Sequence, residues 1–250
     1  MDKTFNINQS GCSIRCRLYA GSRQPVTQLI VYGHGFGGHK DNRAAARFAE
    51  YYIARHPDAA LLCFDWPCHG EDVRRKLLLD DCDRYLGAVI DYARAQFPEA
   101  VLSAYATSFG GYLFLKYMSE HGNPFARAAF RCPAVPMYEV LTNSIVQPDQ
   151  IRDLEKGKDV MVGFDRKIRI SPAFLESLQQ ADLEARDFTF CSDEVIILHG
   201  TKDEIVPPDR VEAFAARNHI PFFPIEKADH RFLDPERMLT ATKLIAEFLE

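Results

Sequence analysis

Tyr105-Ala106-Thr107-Ser108-Phe109-Gly110-Gly111 follows a strand-like apolar run, Ala100 to Tyr105, and opens a helix-like stretch carrying Tyr112, Leu113, Leu115 and Tyr117. A serine between a strand and a helix sits on a sharp turn that lifts its hydroxyl above the sheet. Crowding from neighbouring backbone then demands small residues two positions before and after it. Ala106 and Gly110 meet that demand. A serine hydroxyl is a weak nucleophile, so it needs a histidine to take its proton and a carboxylate to hold that histidine in one tautomer. The C-terminal third offers both. His199-Gly200-Thr201-Lys202-Asp203-Glu204 follows one strand-like run and puts Asp203 in the next loop. Lys227-Ala228-Asp229-His230-Arg231-Phe232 follows another and puts His230 in the loop before the last helix. Taken singly, Ser108 also reads as a helix cap, Asp203 as a turn carboxylate with Glu204 as its rival, and His230 as a surface histidine beside Asp229. Order and setting select the catalytic reading: a strand-turn-helix serine, then a loop acid, then a loop histidine. Adjacent loop residues seldom point the same way, so Asp203 is retained over Asp229.

Outward from this turn, apolar runs and helix-like stretches alternate, which predicts an α/β fold with a mostly parallel central sheet and helices on both faces. The strand-like runs are Val26 to Tyr32, Ala59 to Asp65, Ala100 to Tyr105, Ala126 to Arg131, Glu194 to His199 and Pro221 to Ile225. Most are apolar on both faces, as buried parallel strands are. Thr4 to Asn8 and Ser13 to Tyr19 flank Gln9-Ser10-Gly11 and read as an antiparallel hairpin that begins the sheet. Leu86, Val89, Ile90, Ala93 and Phe97 repeat at helical spacing, as do Met238, Ala241, Ile245 and Phe248. Asp234-Pro235 marks the start of that last helix, a capping residue followed by proline at the first helical position. From about Pro133 to Ser192 the alternation breaks over a length too great for a connection. Here Met137 to Ile145, Asp149 to Lys156 and Pro172 to Arg186 read as helices, and Val160 to Ile170 as a hairpin around Gly163 and Asp165. The expected organisation is therefore a core of residues 1–132 and 193–250 with a cap or lid inserted at 133–192.

Composition narrows the function further. With 30 Lys plus Arg against 35 Asp plus Glu, the net charge of -5 argues against nucleic acid as a partner. No basic stretch leads into an apolar run at the N-terminus, and no segment approaches the roughly 18 apolar residues of a membrane span. The seven cysteines are odd in number and scattered, unlike a disulfide scaffold, and read as reduced thiols of a cytoplasmic protein.

The order Ser108, Asp203, His230 and the elbow around Ser108 resemble the α/β-hydrolase superfamily over nearly the whole chain, from about Val26 to Glu250. Gly33-His34-Gly35-Phe36-Gly37-Gly38 looks like that family's loop after the third strand. The resemblance implies an oxyanion hole made by the backbone N–H groups of Phe36 and Phe109. Phe64-Asp65-Trp66-Pro67-Cys68-His69-Gly70 is similar to the family's Asp-x-x-Gly-His-Gly turn. His-Gly-Phe-Gly-Gly, with an insertion after the sixth strand, is most similar to the capped feruloyl and cinnamoyl esterase group. Two residues depart from the pattern: Ala106 replaces the first glycine of Gly-x-Ser-x-Gly, and Cys68 stands where glycine is usual, a position that favours positive φ.

The resemblance implies a serine esterase that forms an acyl-enzyme on a small-molecule ester, with short-chain acyl or aromatic hydroxycinnamoyl esters as the substrates to expect. It calls for no cofactor and no metal. Peptide, thioester or acyl-transfer chemistry on the same triad remains open, as do a non-catalytic binding role and the oligomeric state. A nicotinamide-dependent dehydrogenase is a further alternative, because Gly33-x-Gly35-x-x-Gly38 matches a dinucleotide fingerprint. Against it, Asp65 lies 27 residues past Gly38 where about 20 is expected. His34, His39 and His69 lack the spacing of metal ligands on one element. Cys68 and Cys132 read as inert buried thiols. Phe36, Trp66, Tyr138, Phe164 and Phe174 are candidates to line an acyl or aryl pocket. Because the base must be a neutral imidazole, activity is expected to rise through a histidine pKa, at about pH 6 to 7.

Overall fold

A computed structural model describes residues 2–9, 11–163 and 166–250. β1 (Asp2–Gln9) and β2 (Cys12–Ala20) form the expected hairpin, in register from Asp2 opposite Tyr19 to Gln9 opposite Cys12, each strand longer at both ends than the sequence pattern indicates. Ser10 of its turn lies outside the described residues. Next come β3 (Gln28–Gly33), α1 (Arg43–Ile53), β4 (Ala59–Phe64), α2 (Leu79–Gln96), β5 (Val101–Thr107), α3 (Phe109–His121) and β6 (Ala128–Arg131). The following segment holds α4 (Met137–Val140), a π-helical turn over Leu141–Ile145, α5 (Pro148–Glu155), the antiparallel pair β7 (Val160–Val162) and β8 (Ile168–Ile170), and α6 (Pro172–Gln180). A 3-10 turn over Thr189–Glu194 leads to β9 (Val195–Gly200), α7 (Pro208–Arg217), β10 (Phe222–Ile225) and α8 (Pro235–Leu249).

Among the described residues the main sheet runs β1-β2-β4-β3-β5-β6-β9-β10, with the β1–β2 and β2–β4 pairings antiparallel and every later pairing parallel. Strand alternation sorts the apolar side chains. Leu29, Val31, Leu62 and Phe64 face the core shared with α2 and α3, whereas Ile30, Tyr32, Leu61 and Cys63 face the one shared with α1 and α8. β4 and β9 are buried along their whole length, which is why both faces are apolar. The chain winds outward from β3 to β4, then crosses back over β3 to β5. That reversal opens a crevice at the C-terminal ends of β3 and β5, the place where open α/β sheets bind ligands.

Three features of the 133–192 segment refine the sequence reading. The helix expected to reach Arg186 ends at Gln180, because the Asp182 carboxylate accepts the Glu184 N–H at 2.9 Å and turns the chain aside. The Ala181 carbonyl freed there accepts the Tyr112 hydroxyl at 3.1 Å. Met137 to Ile145 is helical as expected but widens into the π turn, where Thr142 Oγ1 donates to the Tyr138 carbonyl at 2.9 Å. The segment's buried side chains, Leu141, Val162, Ile170 and Phe174 among them, join the same cluster as α2 and α3. Phe164 and Asp165, named above for the pocket and the hairpin turn, lie outside the described residues. Asp234 caps α8 as its sequence indicates, accepting from the N–H groups of Glu236 and Arg237. Among the described residues no helix is long and apolar enough to cross a membrane.

Candidate active site

Ser108 occupies the turn from β5 into α3 with φ 52° and ψ -121°, and its side chain makes no capping bond to the helix. The helix-cap role weighed from sequence is thereby absent, and the hydroxyl is left to face the crevice. Close packing enforces this turn. A Cβ on Gly110 would lie 2.5 Å from the Gly33 carbonyl oxygen and 2.6 Å from that of His34, so only glycine fits there. Ala106 is tolerated because its register partner in β3 is Gly33, which leaves room for one methyl group across the pair.

The loops after β9 and β10 bring the other two predicted residues to this serine. His230 Nε2 lies 3.0 Å from Ser108 Oγ, and His230 Nδ1 lies 2.7 Å from Asp203 Oδ2. With Nδ1–H donating to the carboxylate, Nε2 is the acceptor facing the serine hydroxyl. Asp203 is fixed from its other side, since Oδ1 accepts the N–H groups of Ile205 and Val206, both at 2.9 Å. Burial by itself would raise the Asp203 pKa, but hydrogen bonds from His199 and His230 and the Val206 amide outweigh it and hold the carboxyl well below its ordinary range. Asp229 instead bonds the N–H groups of Arg231 and Leu233 within its own turn, leaving Asp203 as the carboxylate bonded to His230.

His199 is a fourth member that sequence reasoning passed over. It is the penultimate residue of β9 and has a fully buried side chain, and its Nε2 is 3.1 Å from both Asp203 Oδ2 and the Val206 carbonyl oxygen. Asp203 therefore sits between two imidazoles. The available signal was the spacing: a histidine four residues before the acid, at the end of the same strand.

On the opposite side, the loop after β3 carries Phe36. No loop or turn bond uses the N–H of Phe36 or Phe109 among the described residues. Phe109 opens α3, where a helix offers its amide no acceptor. The loop is anchored by His34, which donates from Nδ1 to the Gly35 carbonyl at 2.8 Å while its own carbonyl accepts Trp66 Nε1–H at 3.0 Å. Burial, reinforced by His69, holds the His34 pKa well below its usual value, so this ring is a neutral strut. Asp65 ties the loop to the turn after β4 by accepting the N–H groups of Lys40 at 2.6 Å and Glu71 at 2.8 Å. Cys68 in that turn does adopt positive φ, 67°. Its N–H is satisfied by Asp72 Oδ2 at 2.8 Å and its carbonyl by Arg166 Nε at 3.2 Å, which holds the non-glycine residue in place.

A cavity of about 390 Å³ opens over Ser108 and His230, walled among others by Phe36, Thr107, Arg131, Ile145 and Ile205. Of the aromatic residues named from sequence, Phe36 lines it. Trp66 and Phe174 are core residues instead, and Tyr138 borders a separate groove between α4, α5 and α6. The turn after β4 and the inner face of α6 direct Trp66 and Phe174 inward, which composition alone does not reveal. The dinucleotide reading of Gly33, Gly35 and Gly38 meets two obstacles: α1 begins only at Arg43, and the Asp65 carboxylate is buried on backbone amides. Cys132, Asp203 and His230 bring ligand-type atoms within 4.8 Å of one another, but Asp203 and His230 are already bonded together and burial pushes the Cys132 thiol well up. Burial likewise pushes the Cys68 thiol up to about 12, so neither cysteine is a thiolate nucleophile near neutrality.

No family model matches the chain. The quorum-quenching protein AidA of Acinetobacter baumannii is 32% identical to it over 139 residues, which are 53% of this chain and 43% of that protein's length. Among solved structures, Est1E from Butyrivibrio proteoclasticus with ferulic acid bound superimposes with a TM-score of 0.79 at 19% identity, over 98% of this chain and 97% of its own. A putative hydrolase from Agrobacterium vitis gives 0.75 at 18% identity over 100% and 99% of the two chains. Mouse alpha/beta hydrolase domain-containing protein 10 gives 0.73 at 17% identity over 99% and 98%.

Proposed function

Because the chain has the α/β-hydrolase fold, we propose that it is a serine hydrolase that cleaves carboxylic esters at Ser108. The observation that carries this reading is the continuous contact from Ser108 Oγ through His230 to Asp203, at 3.0 and 2.7 Å. His230 takes the serine proton as Oγ attacks the ester carbonyl, and Asp203 stabilises the imidazolium that forms. The N–H groups of Phe36 and Phe109 receive the charge that builds on the carbonyl oxygen. His230 then protonates the leaving alcohol, and a water deprotonated by the same ring releases the acid from Ser108. The solved structure with ferulic acid bound supports an aromatic ester among the substrates, and Phe36 supplies a ring to the cavity wall. Residues 133–192 act in this proposal as the cap that selects the acyl and alcohol groups, for which Ile145 in the wall is the support. Seven buried cysteines, all in the thiol form, support residence in a reducing compartment such as the cytoplasm.

The test is hydrolysis of 4-nitrophenyl acetate, butyrate and octanoate and of methyl ferulate by the wild-type protein and Ser108→Ala. Turnover that falls by about 1,000-fold or more in the variant, with unchanged far-UV circular dichroism, is the expected result. Equal rates in both proteins would remove Ser108 from the chemistry.

A further inference from the structure

We propose that the cavity over Ser108 contains an anion subsite built on Arg131, so that the preferred ester carries a carboxylate on its acyl or alcohol part. This inference deepens the ester-hydrolase reading and rests on it for the identity of the substrate. Arg131 is the last residue of β6, in register with Thr107 of β5 and Leu198 of β9, and only 6% of it is exposed. Its position puts it on the α1 and α8 face of the sheet, under the rim of the cavity that Ser108 and His230 also line.

The surroundings of this guanidinium are unusual for a buried cation. Its Cζ lies 5.0 Å from the centroid of the Phe232 ring, and Nη1 is 3.0 Å from Met238 Sδ, a weak acceptor. Its Nε is buried with no hydrogen-bond partner, and among the described residues no carboxylate comes within 4.0 Å of it. Among the described residues the other two buried Lys or Arg side chains are treated differently: Lys40 bonds Asp41 and Glu71, and Lys116 bonds Glu120. A guanidinium stays ionised at any working pH, and a buried charge without a counter-ion is costly. Sulfur and ring contacts satisfy its packing, and Asp229 acts on its charge only from beyond ion-pair distance. Arg231, adjacent to His230, lines the same cavity and adds a second guanidinium to the field there. A planar carboxylate, which accepts two parallel N–H bonds, is the ligand group that a guanidinium fork matches best. The cavity of about 390 Å³ has room for a compact hemiester but not for a large polyanion.

The experiment compares matched esters that differ in one charge. One arm uses mono-(4-nitrophenyl) glutarate against 4-nitrophenyl pentanoate, placing the carboxylate on the acyl side. The other uses 4-carboxyphenyl butyrate against phenyl butyrate, placing it on the alcohol side. In at least one arm wild-type kcat/KM is expected to favour the charged ester by about 10-fold or more, and Arg131→Gln to lower the charged ester's value by about 10-fold more than the neutral one's. Arg131→Lys, which keeps the charge without the fork, is expected to retain part of the preference. No preference in either wild-type arm overturns the subsite, whether or not the variants fold. Equal losses on charged and neutral esters in Arg131→Gln also overturn it, by reducing Arg131 to a packing residue. Calorimetric titration of wild type and Arg131→Gln with monomethyl glutarate and methyl pentanoate separates this proposal from the hydrolase reading. If no ester is turned over, tighter binding of the anion by wild type, lost in Arg131→Gln, supports the subsite while the hydrolase reading fails. Equal binding of the two ligands overturns the subsite even in an active enzyme.

Discussion

Lowering the pH from 7 to 4 is expected to cost the fold about 3 kcal/mol through His69 alone. This ring is fully buried, and burial, the largest effect on it, pushes its pKa down to about 4. Nδ1–H donates to the Pro67 carbonyl at 2.8 Å, and a proton on Nε2 meets no acceptor among the described residues. In the unfolded chain the same ring titrates near 6.5. The folded state thus binds fewer protons than the unfolded one, and stability is lost as pH falls from about 6.5 towards 4, at about 1.4 kcal/mol for each unit of displacement. His34 pulls the same way, and Asp203, whose pKa is depressed, adds a loss below about 4 as its carboxylate takes up protons. His69→Phe isolates the one group. A phenyl ring preserves the aromatic packing against Phe36 at 5.5 Å and Phe109 at 6.0 Å, and the missing hydrogen bond to Pro67 subtracts a pH-independent amount of about 1 kcal/mol. Urea unfolding at pH 7, 6, 5 and 4, followed through Trp66, the single tryptophan, supplies both stability curves. The wild-type advantage over His69→Phe is expected to shrink and reverse as pH falls. A difference that stays constant between pH 7 and 4 would refute the argument that this imidazole is kept neutral by burial.

Two substitutions probe the geometry around the elbow. His199→Phe removes a donor from Asp203 Oδ2, and loss of a hydrogen bond to a charged group predicts about a 10-fold fall in kcat/KM. With that donor gone, more of the carboxylate's charge serves His230, so the acid limb of the rate profile moves to higher pH; an unmoved limb would make His199 a packing residue only. Gly110→Ala forces a Cβ to within 2.6 Å of two backbone carbonyl oxygens, an overpacking that predicts a melting temperature lower by about 5 °C or more. An unchanged melting temperature would show that the elbow has slack that the close contacts with Gly33 and His34 deny.

The sequence revealed most where a local rule carried the information. Asp234-Pro235 announces α8 through capping, and the Ser108 elbow announces itself through small residues at 106 and 110, because both signals act within a few residues. Strand positions followed from burial on two faces, so β4 and β9 were found to within a residue at each end. What escaped detection depends on partners distant in the chain. Why Ala106 is admissible becomes plain only when β3 pairs with β5 and sets Gly33 beside it. His199 looks like any strand-end histidine until the loop after β9 folds Asp203 back onto it. Arg131 reads as a polar residue ending an apolar run, and the absence of a carboxylate partner among the described residues emerges only from the packing of α8 above β6. Trp66 and Phe174 show the converse, large rings whose inward direction is a property of the assembled sheet and segment.

Backbone strain joins these observations. Among the described residues six non-glycine residues have positive φ, and five of them, Cys68, Ser108, Cys132, Lys227 and Phe232, lie in the turns and loops that follow the C-terminal ends of strands framing the crevice. Each such residue costs of order 1 kcal/mol or more and persists only where its surroundings over-determine it. The surroundings do so here in specific ways. Cys68 is held by Asp72 and Arg166, the Lys227 N–H donates to Thr201 Oγ1 at 2.8 Å, and the Phe232 N–H donates to the Asp229 carbonyl at 3.2 Å. Lys227 and Phe232 bracket His230, so the two reversals in that loop aim the imidazole at Ser108, itself held at positive φ by the glycine contacts beneath it. A regular strand-to-helix path at either place would point the side chain along the sheet instead of above it. The strain is therefore concentrated at the residues whose direction decides whether hydroxyl, imidazole and carboxylate meet, and the buried sheet below supplies the stability that tolerates it.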